Sequence, residues 1–158
     1  MKLTVLLPNG FKKLGWVLLG SSILLWSIHL FFDWEPEWLV VNYFTVFNSQ
    51  FFSDTTWFEF RKQNMLYTIL TVFPIVGGLF VGFSKEKIED EFINKLRLSS
   101  LLWAVLINYL LLLLVSLSVF GAAFFDVLTI HMFSVLLIFI TRFNFLLWKN
   151  RKEMTDEE

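Results

Sequence analysis

Residues 99–120 read SSLLWAVLINYLLLLLVSLSVF. This stretch holds no charged residue and one amide, Asn108. It exceeds the roughly 20 apolar residues needed to cross about 30 Å of hydrocarbon. A surface helix of a soluble domain carries an apolar stripe opposite a polar face. Here the apolar residues run on without such a face, so lipid is the solvent this segment is built for.

Working outward, three further segments have the same character: about 14–32, 65–83 and 123–148. Composition agrees, with 56% hydrophobic and 19% aromatic residues and a mean hydropathy of +0.65, well above a soluble domain. The expected architecture is an all-α membrane protein, a single domain over 1–158 with four transmembrane helices. The first span follows Lys2, Lys12 and Lys13 and so resembles a signal peptide. Its apolar run of about 19 residues is longer than a secretory core of about 7–15, and no A-x-A site follows, so it is expected to stay as an anchor.

Lysine and arginine tend to remain on the cytoplasmic side of short loops. Eleven of the thirteen lie before span one, between spans two and three, or at the C-terminal end of span four and beyond. Both termini are therefore expected in the cytoplasm of a bacterial inner membrane, with 149–158 a charged tail. The outer loop 33–64 is aromatic-rich, from Trp34 and Trp38 to Trp57, Phe58 and Phe60. It is expected to fold as one or two short amphipathic pieces in the headgroup zone, where such rings are favoured.

The segment 84–98, SKEKIEDEFINKLRL, is the only strongly charged one. Ile88, Phe92 and Leu96 recur at i, i+4 and i+8, and Glu91 precedes Lys95 by four. That spacing predicts an amphipathic cytoplasmic helix running into span three. Its acidic group, Glu89, Asp90 and Glu91, would be repelled by anionic lipid, so it faces either water or a basic protein partner.

Polar groups inside lipid are costly and are the natural candidates for a site. They are His29, Asn108, Asp126, His131 and Arg142. If spans one and four are neighbours, His29 and His131 approach each other near Asp33 and Asp126. Imidazole with carboxylate ligates metal, and imidazole ligates haem iron, but two histidines without motif spacing also serve as ordinary hydrogen-bonding groups. Arg142 is close enough to the cytoplasmic end to snorkel, and Asn108 is expected to stitch helices together. Gly78 and Gly82 form a small-xxx-small face for close helix packing, beside Pro74 and Gly77.

Several classes are excluded. Without cysteine there is no disulfide, no thiolate metal site and no thiol redox chemistry. No phosphate loop, His-Glu-x-x-His or nucleophile elbow occurs, and span one lacks the embedded carboxylate of small multidrug transporters. A net charge of −1 favours no direct nucleic-acid binding. Neither catalysis nor a cofactor nor a metal is expected.

The segments FSKEKIEDEFI from Phe83 and KLRLSSLLWA from Lys95, then Asn108-Tyr109, Met132-Phe133 and Arg142-Phe143, resemble a family of uncharacterised four-span bacterial inner-membrane proteins often encoded beside a short helix-turn-helix regulator. The likeness is densest over 83–109, looser over 121–145 and weakest in the first loop. It implies a sensor or regulatory adaptor contacting a cytoplasmic regulatory protein through helix 84–98. The residues themselves leave two alternatives open: a small oligomeric transporter or channel, built as a homo-oligomer and using Asn108, His131 and Asp126, or a haem- or metal-linked redox protein.

Overall fold

The computed structural model describes residues 6–48 and 56–156. In chain order the elements are α1 (Gly10–Phe32), β1 (Val40–Asn48), β2 (Thr56–Asn64), α2 (Leu66–Gly82), α3 (Glu91–Ser118) and α4 (Ala122–Asp156), with a 3-10 turn at Glu37–Leu39. Three helices, α1, α3 and α4, are long and apolar enough to cross a membrane. The fourth, α2, is equally apolar but has 17 residues, about 25 Å at 1.5 Å per residue. Large apolar side chains such as Val17, Leu102, Leu110 and Leu114 point outward. An outward apolar surface of this extent suits hydrocarbon and not water.

Two expectations are corrected. The chain is mostly helical but not all-α, because 40–48 and 56–64 of the outer loop, expected as short amphipathic pieces, pair as antiparallel strands, Val40 with Asn64, Phe44 with Phe60 and Phe47 with Trp57; residues 49–55 of that loop lie outside the described residues. Its strands, VVNYFTVFN and TWFEFRKQN, are rich in the β-branched and aromatic residues that fit a pleated surface. Cross-strand rings add contacts, Phe47 on Trp57 at 4.7 Å and Phe44 on Phe60 at 5.3 Å between centroids. The second correction concerns 84–98: the helix starts at Glu91, and residues 84–90 are not helical. Asp90 stands in extended conformation and accepts from the Ile93 amide at 2.7 Å, which caps α3 and stops it from extending backwards. The charged end 149–156, by contrast, continues α4.

The fold divides into two compact units, Gly20–Phe73, and Met1–Leu19 with Pro74–Glu158. In the first, Trp26 Nε1 donates to the Leu70 carbonyl at 3.3 Å, and the His29 and Tyr67 rings meet edge-on at 5.3 Å. These contacts pair the second half of α1 with the start of α2. Asp33, at φ 45°, ends α1, and the Asn64 side chain accepts from the Leu66 amide where α2 begins.

In the second unit, α1 and α2 pack antiparallel and backbone against backbone. A Cβ on Gly15 would lie 2.8 Å from the Gly77 carbonyl oxygen and 2.8 Å from the Val81 nitrogen. One on Gly77 would lie 2.9 Å from the Leu19 nitrogen. The face read from the sequence, Gly78 and Gly82, meets α4: Cβ atoms there would lie 3.1 Å from Leu136 and 2.6 Å from the Phe139 ring. The core follows from these approaches, with Leu19, Val81, Ala104, Phe139, Ile140, Phe143 and Leu147 buried together. Gly121, at φ 75°, makes the tight turn from α3 to α4 that a residue with a Cβ rarely adopts.

The glycine contacts give a paired test. Gly15→Ala drives a methyl into backbone and is expected to lower stability by about 1–3 kcal/mol. Gly20→Ala, which meets nothing within 4 Å, leaves it unchanged. Thermal unfolding of the purified variants in one detergent measures the difference.

Candidate functional site

The strongest concentration of charged, hydrogen-bonded side chains lies where α1 starts, α2 gives way to α3, and α4 ends. After Gly82 the chain enters a short parallel bridge with the segment preceding α1. The Leu7 amide donates to the Phe83 carbonyl, and the Lys85 amide donates to the Leu7 carbonyl, both at 2.9 Å. Asn9 Nδ2 adds a bond to the Lys85 carbonyl at 2.6 Å. Ser84, fully buried, donates to the Phe80 carbonyl. These bonds satisfy backbone groups that would be orphaned where α2 ends.

Arg97 organises the connection between Ser84 and the start of α3. It is 2% exposed, and a buried guanidinium demands partners. Nη1 donates to Glu89 Oε1 at 2.7 Å and Nη2 to Glu89 Oε2 at 3.3 Å, a two-point grip on one carboxylate. Nη2 also donates to the Ser84 carbonyl, and Nη1 to Asn94 Oδ1, each at 3.3 Å. The guanidinium lies 5.1 Å from the centroid of the Phe143 ring on α4. Glu89 also accepts from the Glu86 amide at 2.9 Å. Burial by itself raises the Glu89 carboxyl pKa, but the Arg97 hydrogen bonds and the Glu86 amide outweigh it and hold the group below its ordinary value.

Glu86 is the second buried charge. Its carboxylate pairs with Lys12 of α1 and lies 3.7 Å from Arg151 of α4. One carboxylate thus ties two helices to the connection.

This geometry reassigns the acidic group named from the sequence. Glu89 is held by Arg97, and Asp90 caps α3. Glu91 is exposed in the first turn of α3. Ile88 is 76% exposed just outside it.

The intramembrane candidates form separate groups. Asn108 and His131 meet, with Asn108 Nδ2 donating to His131 Nε2 at 2.9 Å. Ser134 donates to Asn108 Oδ1. His131 Nδ1 stands 3.4 Å from the Ser134 hydroxyl, and the three side chains together clasp α3 to α4. A cavity of about 590 Å³ opens beside it, bordered by Phe125, Thr129 and Met132.

The Asn144 amide, one turn from Ile140, donates to the Ile140 carbonyl of its own helix, and Arg142 turns to α3. Its guanidinium lies 5.0 Å from the centre of the Trp103 ring. His29 lies with Nδ1 3.3 Å from the Trp34 carbonyl oxygen. The side chain of Asp126 lies outside the described residues. Among the described residues no three His, Asp or Glu side chains come together in a way that holds a metal ion.

Arg97, Glu86, Ser134 and Gly15 were not singled out from the sequence. Ser134, three residues after His131 on the same helical face, was the most accessible of them. No protein family, curated protein or solved structure matches the chain.

The Glu89–Arg97 pair gives stability a definite pH dependence. A carboxylate whose pKa is lower when folded stabilises at pH above its unfolded value, and that contribution is lost as pH falls through the folded value. Glu89→Gln is therefore expected to unfold at lower temperature than the native chain near pH 7. The gap closes as pH falls below about 4. Arg97→Met leaves the partly buried Glu89 without its partner and is expected to cost about 1–3 kcal/mol near neutrality. Thermal unfolding across a pH series reads both.

Proposed function

We propose that the protein is a non-enzymatic, four-span membrane adaptor of a bacterial inner membrane that contacts a cytoplasmic regulatory protein through the connection 83–91. The observation that carries this reading is the Arg97–Glu89 grip, which fixes a short polar segment in one conformation outside the apolar spans. Such a segment loses little conformational entropy on binding, which is what preorganisation contributes to affinity. Ile88 offers an apolar contact on it and Glu91 a charge.

The four-span topology is supported by the Lys12–Glu86 pair and the antiparallel α1–α2 packing. Since α1 starts where the α2–α3 connection lies, the chain must return across the membrane between them, and α2 is the only described helix available for it. Seventeen apolar residues are at the short end of what can cross. Lys12, Lys13, Lys85, Lys87 and Arg151 share that charged end, which favours a cytoplasmic placement by the positive-inside rule.

A second reading, a small transporter, is favoured by the cavity beside Asn108 and His131. Proteoliposomes of the native chain are expected to show flux of a small solute that Asn108→Leu with His131→Phe abolishes. Flux that survives both substitutions removes those residues from the path.

The adaptor reading is checked by chemical cross-linking in native membranes followed by purification of the full chain. A cytoplasmic protein at near one-to-one ratio is expected, and Ile88→Glu with Glu91→Lys is expected to release it without lowering thermal stability. A native chain that carries no such protein, or one retained fully by the variant, overturns it.

A further inference from the structure

Between the start of α1, the connection 83–90, the start of α3 and the end of α4, the charged end encloses a cavity of about 560 Å³. That volume lies within the usual range of small-molecule sites. Its walls divide by chemistry. Lys12, Lys13, Lys87 and Arg151 supply cations, and Trp16, Phe92, Ile93 and Leu147 supply an apolar side.

The two carboxylates on the wall are already engaged. Glu86 is held between Lys12 and Arg151, and Asp90 caps α3. Lys13 and Lys87 are exposed and make no ion pair among the described residues. The cavity therefore keeps an excess of positive charge beside a greasy wall. Trp16, one helical turn from Lys12 and Lys13, is of the residue type that settles at the headgroup level of a bilayer.

A cavity lined by both cations and apolar side chains is complementary to a molecule that is anionic at one end and hydrocarbon at the other. We propose that this cavity binds the phosphate headgroup of an anionic phospholipid. Lys13 and Lys87 meet the phosphate, and the start of an acyl chain lies along Trp16 and Leu147. Basic pockets between transmembrane helices on the cytoplasmic side take such headgroups for the same reason. The cavity shares Lys87 and Ile88 with the connection used by the adaptor reading, but it needs no protein partner, so lipid titration and cross-linking test the two readings separately.

The test uses the full chain in mild detergent, titrated with dioleoylphosphatidylglycerol or dioleoylphosphatidylcholine and read by native mass spectrometry. One phosphatidylglycerol per chain is expected to be held in preference to phosphatidylcholine. Lys13→Ala with Lys87→Ala is expected to weaken it about 30-fold, from about 1 kcal/mol per lysine. Lys149→Ala with Lys152→Ala removes the same charge outside the cavity and is expected to leave binding unchanged. Equal loss in the two double variants, or no preference between the lipids, overturns the proposal. So does displacement by glycerol 3-phosphate at the lipid's own concentration, which would mark a soluble-anion site without a hydrocarbon requirement.

Discussion

A guanidinium that is 2% exposed imposes a condition on everything around it. Taking an ion out of water costs several kcal/mol even after the protein relaxes, and an opposite charge offsets that only with close, multiple hydrogen bonds. Arg97 answers it through both Nη atoms and its face, with one carboxylate, one carbonyl, one amide side chain and one aromatic ring, while Nε has no partner among the described residues. Each partner comes from a different stretch of chain. Glu89 must fold back from the connection, Ser84 must lie at the end of α2, and Phe143 must present its ring from α4. The connection between α2 and α3 is therefore fixed by a residue inside α3. Its fixed course in turn holds Glu86 where Lys12 and Arg151 reach it.

Within the apolar layer that logic changes. In a bilayer, where lipid tails are as apolar as leucine, burying apolar surface would do little to hold such helices together, and close packing and hydrogen bonds would have to do it. The chain uses glycine on two sides of α2: Gly77 lets the α1 backbone approach through Gly15, and Gly78 and Gly82 admit Leu136 and Phe139 of α4. Between α3 and α4 it uses the Asn108–His131–Ser134 clasp. With Asn108 donating to Nε2, the imidazole proton is assigned to Nδ1, beside the Ser134 hydroxyl.

The long apolar helices were legible because an unbroken apolar run is read without tertiary information, and α1, α3 and α4 lie over the segments read as spans. The hairpin was not, since an aromatic, β-branched stretch suits a strand and a headgroup-level loop equally, and only pairing between 40–48 and 56–64 distinguishes them. In 84–98, the Ile88, Phe92 and Leu96 spacing imitated a helix, while Asp90 acted as its stop. Capping chemistry was stated by the residue type but outvoted by periodicity. At the site, the cost of polar groups in lipid pointed to Asn108, His131 and Arg142 without naming their partners. Asn108 and His131 are 23 positions apart, and Glu89 and Arg97 are eight apart across a helix start. No local rule joins either pair.

Depth sets which polar groups the chain keeps where. Asn108 lies eleven residues beyond Arg97, about 16 Å along α3 at 1.5 Å per residue. At that depth the cluster is built from amide, imidazole and hydroxyl, groups that hydrogen-bond one another. Nearer the helix ends the chain tolerates full charges, but each described buried one has a counter-group, with Glu89 against Arg97 and Lys12 against Glu86. Arg142, placed between, rests on the Trp103 face, where the ring's negative potential stabilises the cation, and it makes no ion pair among the described residues. Asn108, His131 and Arg142 are thus engaged in contacts between α3 and α4. The surplus of cations lies at the far end, on Lys13 and Lys87, where a ligand still has charge to meet.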